Sequence, residues 1–216
     1  AVKQPAAGRS VAPASTAGRA GAQVQVLTGA RLNALLLSGS SMPKGFRLNA
    51  DGARNTGDAI APASSAPVAR SAACAMLLQT SWVRAAGIGS ATFAQNDYGD
   101  SGRQNQVAQE LDGFQGTGAR AVIGRLKRVF AECATFKDKS GGMVVTVKIS
   151  TSKLAGLGDE AIRAVLTSTA WMGGTTLVAV RVGQTVVTTL VSSSGKDKGA
   201  AVKFAVRLAK NVKAAG

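Results

Sequence analysis

The chain has 216 residues, with 26 lysines and arginines against 11 acids, two cysteines and no histidine. Imidazole chemistry is therefore excluded: no Ser-His-Asp or Cys-His nucleophile pair, no histidine zinc site and no histidine pH switch. At 45% apolar and 17% charged residues the chain has the composition of a folded domain, and no apolar run approaches the ~18 residues that cross a bilayer as a helix.

Residues 1 to about 24 are Ala, Gly, Ser, Thr, Pro, Val and Gln with scattered Arg and no periodicity, which predicts a flexible linker over 1–27 ahead of one domain over 28–216. The start at Ala1-Val2-Lys3-Gln4, without Met or a hydrophobic signal core, reads as a processed or trimmed product. Arg31 to Leu37 predicts a short helix, stopped near Gly39 and by Met42-Pro43. Residues 49–66 return to Asp, Gly, Asn, Pro and Ser and predict an irregular excursion. A helix follows from Pro67 to Leu78, with Pro67 in its first turn and Cys74, Leu77 and Leu78 toward the core.

In the middle of the chain, Ser90 to Gln95 and Val107 to Phe114 read as strands around a polar turn containing Asn96-Asp97 and Gly99 to Gly102. From Ala119 to Cys133 the residues Val122, Ile123, Leu126, Val129, Phe130 and Cys133 form one apolar stripe, with Arg120, Lys127 and Arg128 opposite. Val144 to Ile149 alternates as a strand, whereas residues 161–168 fit a strand or a helix. Thr176 to Val182 and Thr185 to Val191 flank Gly183-Gln184, a pairing that suits a type II′ hairpin. The last element, Gly199 to Val212, predicts an amphipathic helix burying Val202, Ala205, Val206, Ala209 and Val212. Antiparallel hairpins with helices attached define an α+β class.

The net charge of +15 is unevenly spread. The first 30 residues carry Lys3, Arg9 and Arg19 with no acid, basic residues gather from Arg120 to Lys139 and from Lys196 to Lys213, and Asp97, Asp100, Glu110 and Asp112 reverse the sign between Phe93 and Phe114. No aromatic interleaving or nucleic-acid motif accompanies these runs. Solvated faces, or attraction to anionic wall polymers or a membrane surface, are expected before nucleic acid.

Enzyme motifs fail on inspection. Gly195-Lys196 is followed by Asp197, and position 190 is Leu where a phosphate loop needs Gly. Gly87-Ile88-Gly89 is not followed by the helix that a dinucleotide site requires. The pairs Asp97/Asp100 and Glu110/Asp112 match a glycosidase in residue type but, lying on or near a polar turn, read as solvated loop acids. Asp159-Glu160 reads as the start of a helix or turn. No calcium-loop spacing occurs, and no cofactor or metal is expected. Side chains that the apolar pattern does not require are the ligand-binding candidates: Trp82, Tyr98, Trp171 beside Gly173-Gly174, and Arg181, which interrupts an apolar strand and could meet an anionic ligand or simply guard a sheet edge.

Cys74 and Cys133 fall on the buried stripes of two predicted helices. Small core residues would suffice there, but in an oxidising compartment an even count on packed helices is more often a disulfide, closing a loop of about 60 residues.

The order of these elements resembles the PknH-type extracellular sensor domains of actinobacterial receptor kinases and related secreted lipoproteins. The resemblance rests on the leucine-rich helix leading to Met42-Pro43-Lys44-Gly45-Phe46, the helix with Cys74, the strand near Tyr98, and the helix ending at Cys133 with Phe136 after it. It continues through Leu157-Gly158-Asp159-Glu160, the Val180-Arg181-Val182-Gly183 hairpin and the terminal helix, about residues 30–213. It implies a twisted antiparallel sheet flanked by helices, with a large cleft that binds a ligand outside the cell, and no enzymatic activity. Only the Cys74–Cys133 pair is matched, where the resemblance implies two disulfides in the kinase-borne domains, and these 216 residues contain neither a kinase domain nor an apolar run that spans a membrane. The expectation is a secreted or lipid-anchored, non-enzymatic binding protein with an unknown extracellular ligand or protein partner. The alternative is a secreted protein-interaction factor, such as a protease inhibitor or an enzyme's protein substrate, acting through loops and tail.

Overall fold

The computed structural model describes residues 26–102, 104–139, 142–194 and 199–216. The predicted linker lies almost wholly outside these residues, as does the Gly195-Lys196-Asp197 segment. In chain order the helices are α1 (Gly29–Leu35), α2 (Arg70–Met76), α3 (Gly118–Glu132) and α4 (Ala200–Ala215). The strands are β1 (Arg47–Leu48), β2 (Arg54–Asn55), β3 (Ser64–Ser65), β4 (Ile88–Gly89), β5 (Thr92–Gly99), β6 (Gln106–Gly113), β7 (Thr135–Asp138), β8 (Val145–Lys153), β9 (Glu160–Thr167), β10 (Gly174–Val182) and β11 (Thr185–Ser193).

Among the described residues nine strands form one sheet in the order β1-β5-β6-β11-β10-β9-β8-β7, with β2 also on β5; β3 and β4 pair apart. Every pairing is antiparallel. The chain leaves β6 near one edge and re-enters at β7 on the other, and α3 makes this crossing. It therefore packs over the middle strands β9, β10 and β11. Its stripe is the predicted one: Val122, Ile123, Leu126, Val129 and Phe130 are buried.

Both faces of the sheet are covered. Under α2, α3 and the 3-10 turn Trp82–Ala86 lie Leu77, Trp82, Ile123, Phe130, Leu166, Leu177 and Val186; under α1 and α4 lie Leu32, Leu111, Val178, Val180, Val187, Phe204 and Leu208. A strand buried on both sides loses the apolar-polar alternation, and so β10 and β11 read as continuous β-branched and apolar runs. Their hairpin turns where predicted, at Gly183 with φ +59°.

Residues 161–168 resolve as strand, because β9 pairs with both β8 and β10. Three expectations are corrected. Asn96 and Asp97 are not in a turn: β5 continues through them to Gly99, paired residue by residue with β6. The second helix starts at Arg70, not at Pro67, because Ser64 and Ser65 pair with β4 and the Ala66 N–H bonds Gly87 O at 3.0 Å, holding the chain extended up to the proline. In α4 Ala205, Ala209 and Val212 are buried as expected, but the stripe is completed by Ala201, Phe204 and Leu208, while Val202 is half-buried and Val206 is exposed at 45%. Rotation to that face buries an aromatic and a leucine in exchange for a valine.

Cys74 and Cys133 form a disulfide, with Cα atoms 5.5 Å apart across 59 residues. It joins α2 to the end of α3, where Arg70 Nε also donates to Glu132 O at 2.9 Å.

Candidate ligand-binding cleft

One end of the sheet gathers the β7–β8 and β9–β10 connections and the end of β11. There the loops border an open cleft of about 610 Å³. Its walls are Leu78, Val145, Trp171, Met143 and Met172, and its polar part comes from Thr175, Ser192, Ser193, Ser194, Gln104 and Asp138. The Thr175 and Ser192 hydroxyls bond each other at 2.8 Å across β10 and β11. Trp171 is placed by a short turn in which its N–H donates to Ser168 O at 3.2 Å, while Gly173-Gly174 leads straight into β10. Met143 and Met172 stand 69% and 79% exposed at the mouth, with Val144 beside them at 62%. A cavity of this size with apolar walls and a few hydroxyl and amide groups suits a drug-sized molecule with a large apolar surface. Among the described residues no lysine or arginine lines it.

Of the four side chains singled out from the sequence, Trp171 lies in the cleft and the other three do not. Trp82 is fully buried beneath α3, tilted 37° against Phe130 with ring centroids 5.9 Å apart. Tyr98 packs on the opposite face, where its hydroxyl donates to Leu37 O at 3.2 Å and burial pushes its pKa up. Arg181 sits at the far end of the sheet, beside the β10–β11 turn. Its Nη1 donates to Asp159 Oδ2 at 2.8 Å, and the same carboxylate accepts the Gly183 N–H at 2.8 Å. The pair is a local clamp on the turn. Glu160, next in chain, opens β9 and forms an ion pair with Lys127 of α3.

A second polar feature contradicts the reading of the acids as solvated. Asp97, Glu110 and Asp112 are all buried, at 3%, 4% and 1% exposure. Glu110 and Asp112 are two residues apart on β6 and so share a face, the one beneath Trp82–Ala86. Across the strands Glu110 lies between Gln95 of β5 and Thr188 of β11. Gln95 is held by Thr80, Ser81, Arg54 and the Gly52 carbonyl. Asp97 accepts from Asn49 and Gln106, both at 3.2 Å, and no room remains for a Cβ on Gly52 beside it. Desolvation first, and the neighbouring Asp112 carboxylate second, hold the Glu110 carboxyl well above its ordinary range. Desolvation likewise pushes Asp112 from 3.8 up to about 7, against the opposing hydrogen bonds of Ser90 and Glu110. The strand expected over 107–114 already placed these two acids on one face. What it lacked was the cover on that face, which comes from residues 80–86.

No protein family and no curated protein matches the chain by sequence. Among solved structures it is similar to the extracellular domain of PknH from Mycobacterium tuberculosis, with a TM-score of 0.68 and 17% identity over 88% of this chain and 98% of that one. The two share a fold. At this identity the likeness establishes architecture, and the architecture is the α+β, helix-flanked antiparallel sheet expected from the order of elements.

Within the PknH-like fold the cleft lies outside the packed layers, at the strand ends, where loop residues can vary without disturbing the core. Among the described residues no helix is long and apolar enough to cross a membrane, and no group of three or more Cys, His, Asp or Glu could hold a metal ion.

Proposed function

We propose that this protein is a secreted or envelope-anchored, non-enzymatic sensor-like protein that captures an extracellular ligand in the cleft beside Trp171. The cleft of about 610 Å³ carries this reading. Two observations support it: the likeness to an extracellular domain, and a disulfide of the kind that persists in oxidising compartments. The ligand is an uncharged or weakly polar molecule, since walls of Leu78, Val145 and Trp171 reward apolar surface while the Thr175–Ser192 hydroxyls set its orientation. Native mass spectrometry of the protein recovered from its own culture medium tests this. A retained small-molecule adduct that Trp171→Ala loses supports capture in the cleft. A bare wild-type chain that also takes up no apolar probe, such as N-phenyl-1-naphthylamine, sinks it.

A second reading rests on the exposed Met143, Val144 and Met172, an adaptable apolar rim of the kind that protein partners use. Under it the protein is an interaction factor, and Met172→Lys abolishes co-purification of a partner while leaving small-molecule uptake unchanged.

A further inference from the structure

The sheet is covered unevenly on the side that carries α1 and α4. There α1 packs on β5 and β6, and α4 on β10 and β11. Arg207 and Asn211 tie α4 toward α1, through bonds to Ser41 Oγ at 2.8 Å and Leu35 O at 3.0 Å. The same side of β7, β8 and β9 is left open, and Thr135, Lys137, Lys148, Ser150 and Thr167 are exposed on it. Strand alternation fixes this assignment: Phe136, Val147, Ile149, Ile162, Ala164 and Leu166 enter the layer under α3, so their neighbours face the other way. Val145, a wall of the cleft, belongs to the α3 layer too. The open face is therefore on the reverse side of the sheet from the cleft, and what it does is independent of whether the cleft holds a ligand.

This face carries charge of one sign. Its cations are Lys137, Lys148 and Arg163, whereas the two acids of these strands point away from it, Asp138 into the cleft and Glu160 to Lys127 of α3. An ordinary solvated face mixes signs. A lysine on an edge strand guards against unwanted pairing, which would account for Lys137, but Lys148 and Arg163 stand on β8 and β9, inside the edge. The cations lie along the sheet: Lys137 Nζ donates to Thr146 Oγ1 at 2.6 Å and Arg163 Nε to Ser152 Oγ at 3.1 Å. The register places Lys148 opposite Thr135 and Lys137 opposite Thr146, so the two lysines are diagonal neighbours, about 7–8 Å apart at the backbone. Lys148 is also opposite Thr167, and Arg163 is four residues along β9 from there, about 14 Å farther on. The charges thus form a track rather than a cluster, which suits an extended polyanion better than a single small ion.

The rest of the face selects among polyanions. Between the cations the floor is made of hydroxyls, those of Thr135, Thr146, Ser150, Ser152 and Thr167, with Val165 half-buried among them. No aromatic ring of β7, β8 or β9 is on this side, since Phe136 turns into the core, so the stacking platform that single-stranded nucleic acid uses is missing. The bulky apolar anchors of a protein interface or of an inserting membrane surface are missing from these strands for the same reason. A second copy of the chain would bring the same cations to meet these. We propose that the open face of β7, β8 and β9 is a docking surface for an acidic polysaccharide, whose carboxylates meet Lys137, Lys148 and Arg163 and whose hydroxyls bond the Ser and Thr side chains between them. Such a chain lies flat on the sheet and leaves the cleft accessible.

The test separates place from total charge. Binding of the full chain to polygalacturonate, a carboxylate polysaccharide, is measured beside neutral dextran for two triple variants of equal net charge. One is Lys137→Gln, Lys148→Gln and Arg163→Gln, on the open face. The other is Arg120→Gln, Arg128→Gln and Lys203→Gln, all exposed and on α3 and α4. The expected result is binding to polygalacturonate and not to dextran, weakened about tenfold by the first triple, as for three exposed charge contacts, and less than about twofold by the second. Should the first triple fold poorly, Ser150→Glu replaces it, a single exposed change between Lys148 and Arg163 that should weaken binding to a similar degree by repulsion. Equal losses in the two triples overturn the proposal, as does a wild-type chain that ignores polygalacturonate or binds dextran as well. Tighter binding of polyglutamate, single-stranded DNA or phosphatidylglycerol vesicles than of polygalacturonate, lost with the same three residues, overturns the assignment to a polysaccharide.

Discussion

At the scale of single residues, two features dominate the energetics. The Cys74–Cys133 bridge closes a 59-residue separation, for which loop entropy gives about 4 kcal/mol of stabilisation. Replacing both cysteines with alanine should lower the free energy of unfolding by up to that amount, measured by urea titration, with the same sheet retained. The buried acids act in the opposite sense as pH rises. Because burial raises their pKa values in the folded state, the native protein binds more protons than the unfolded chain, so stability falls with increasing pH. For Asp112 the fall begins near the unfolded carboxyl pKa of about 4 and is complete once the pH passes its folded value of about 7, and the raised pKa of Glu110 acts in the same direction. At about 1.4 kcal/mol per pH unit, the rise from 3.8 to about 7 corresponds to at most about 4 kcal/mol. Melting temperatures measured between pH 4 and pH 8 should therefore decline. Asp112→Asn should flatten the profile and stabilise the alkaline end. Both cysteines were legible because they fell on apolar stripes. The acids were misread because polarity along a strand does not reveal what lies on top of it.

At the scale of elements, α3, β8 and the β10–β11 hairpin were legible because each carries a local signature: a helical stripe, an alternation, a glycine turn between β-branched runs. The terminal helix was legible in extent but not in phase. Small residues on several sides of α4 leave more than one stripe available, and the sheet selects the one presenting Phe204 and Leu208. This makes a sharp contrast. Phe204→Ala should cost about 3–5 kcal/mol, as for a buried aromatic truncated to a cavity, while Val206→Ala should change stability by no more than about 0.5 kcal/mol. Equal effects in thermal melts would overturn the assigned face. Residues 161–168 were ambiguous for a related reason: a short apolar run suits either period, and only pairing with β8 and β10 makes it a strand.

At the scale of the whole molecule, the +15 charge acts at long range. It should draw the protein weakly to anionic surfaces, and co-sedimentation with vesicles rich in anionic lipid should fall to background by about 0.5 M salt, where the screening length is only a few ångströms. Retention at high salt would instead point to insertion of the Met143, Val144 and Met172 rim. The cleft belongs to this scale too. Trp171 was singled out because bulky aromatics beside paired glycines sit in loops, but Leu78, Val145 and Ser192 share no sequence signal with it. They meet because the β7–β8 and β9–β10 connections and the end of β11 all reach the same end of the sheet, with the segment after α2 beside them.

The sequence by itself determined the α+β class, the positions of the main helix and hairpin and the exclusion of histidine chemistry, all of which depend on composition or on neighbours within a turn or a strand. It also singled out the two cysteines that pair. Only the tertiary structure decided the face that α4 buries, the company of Trp171, the core roles of Trp82 and Tyr98 and the burial of Glu110 and Asp112. Each of these depends on contacts between segments far apart in the chain, and no local periodicity encodes which element will cover a given face.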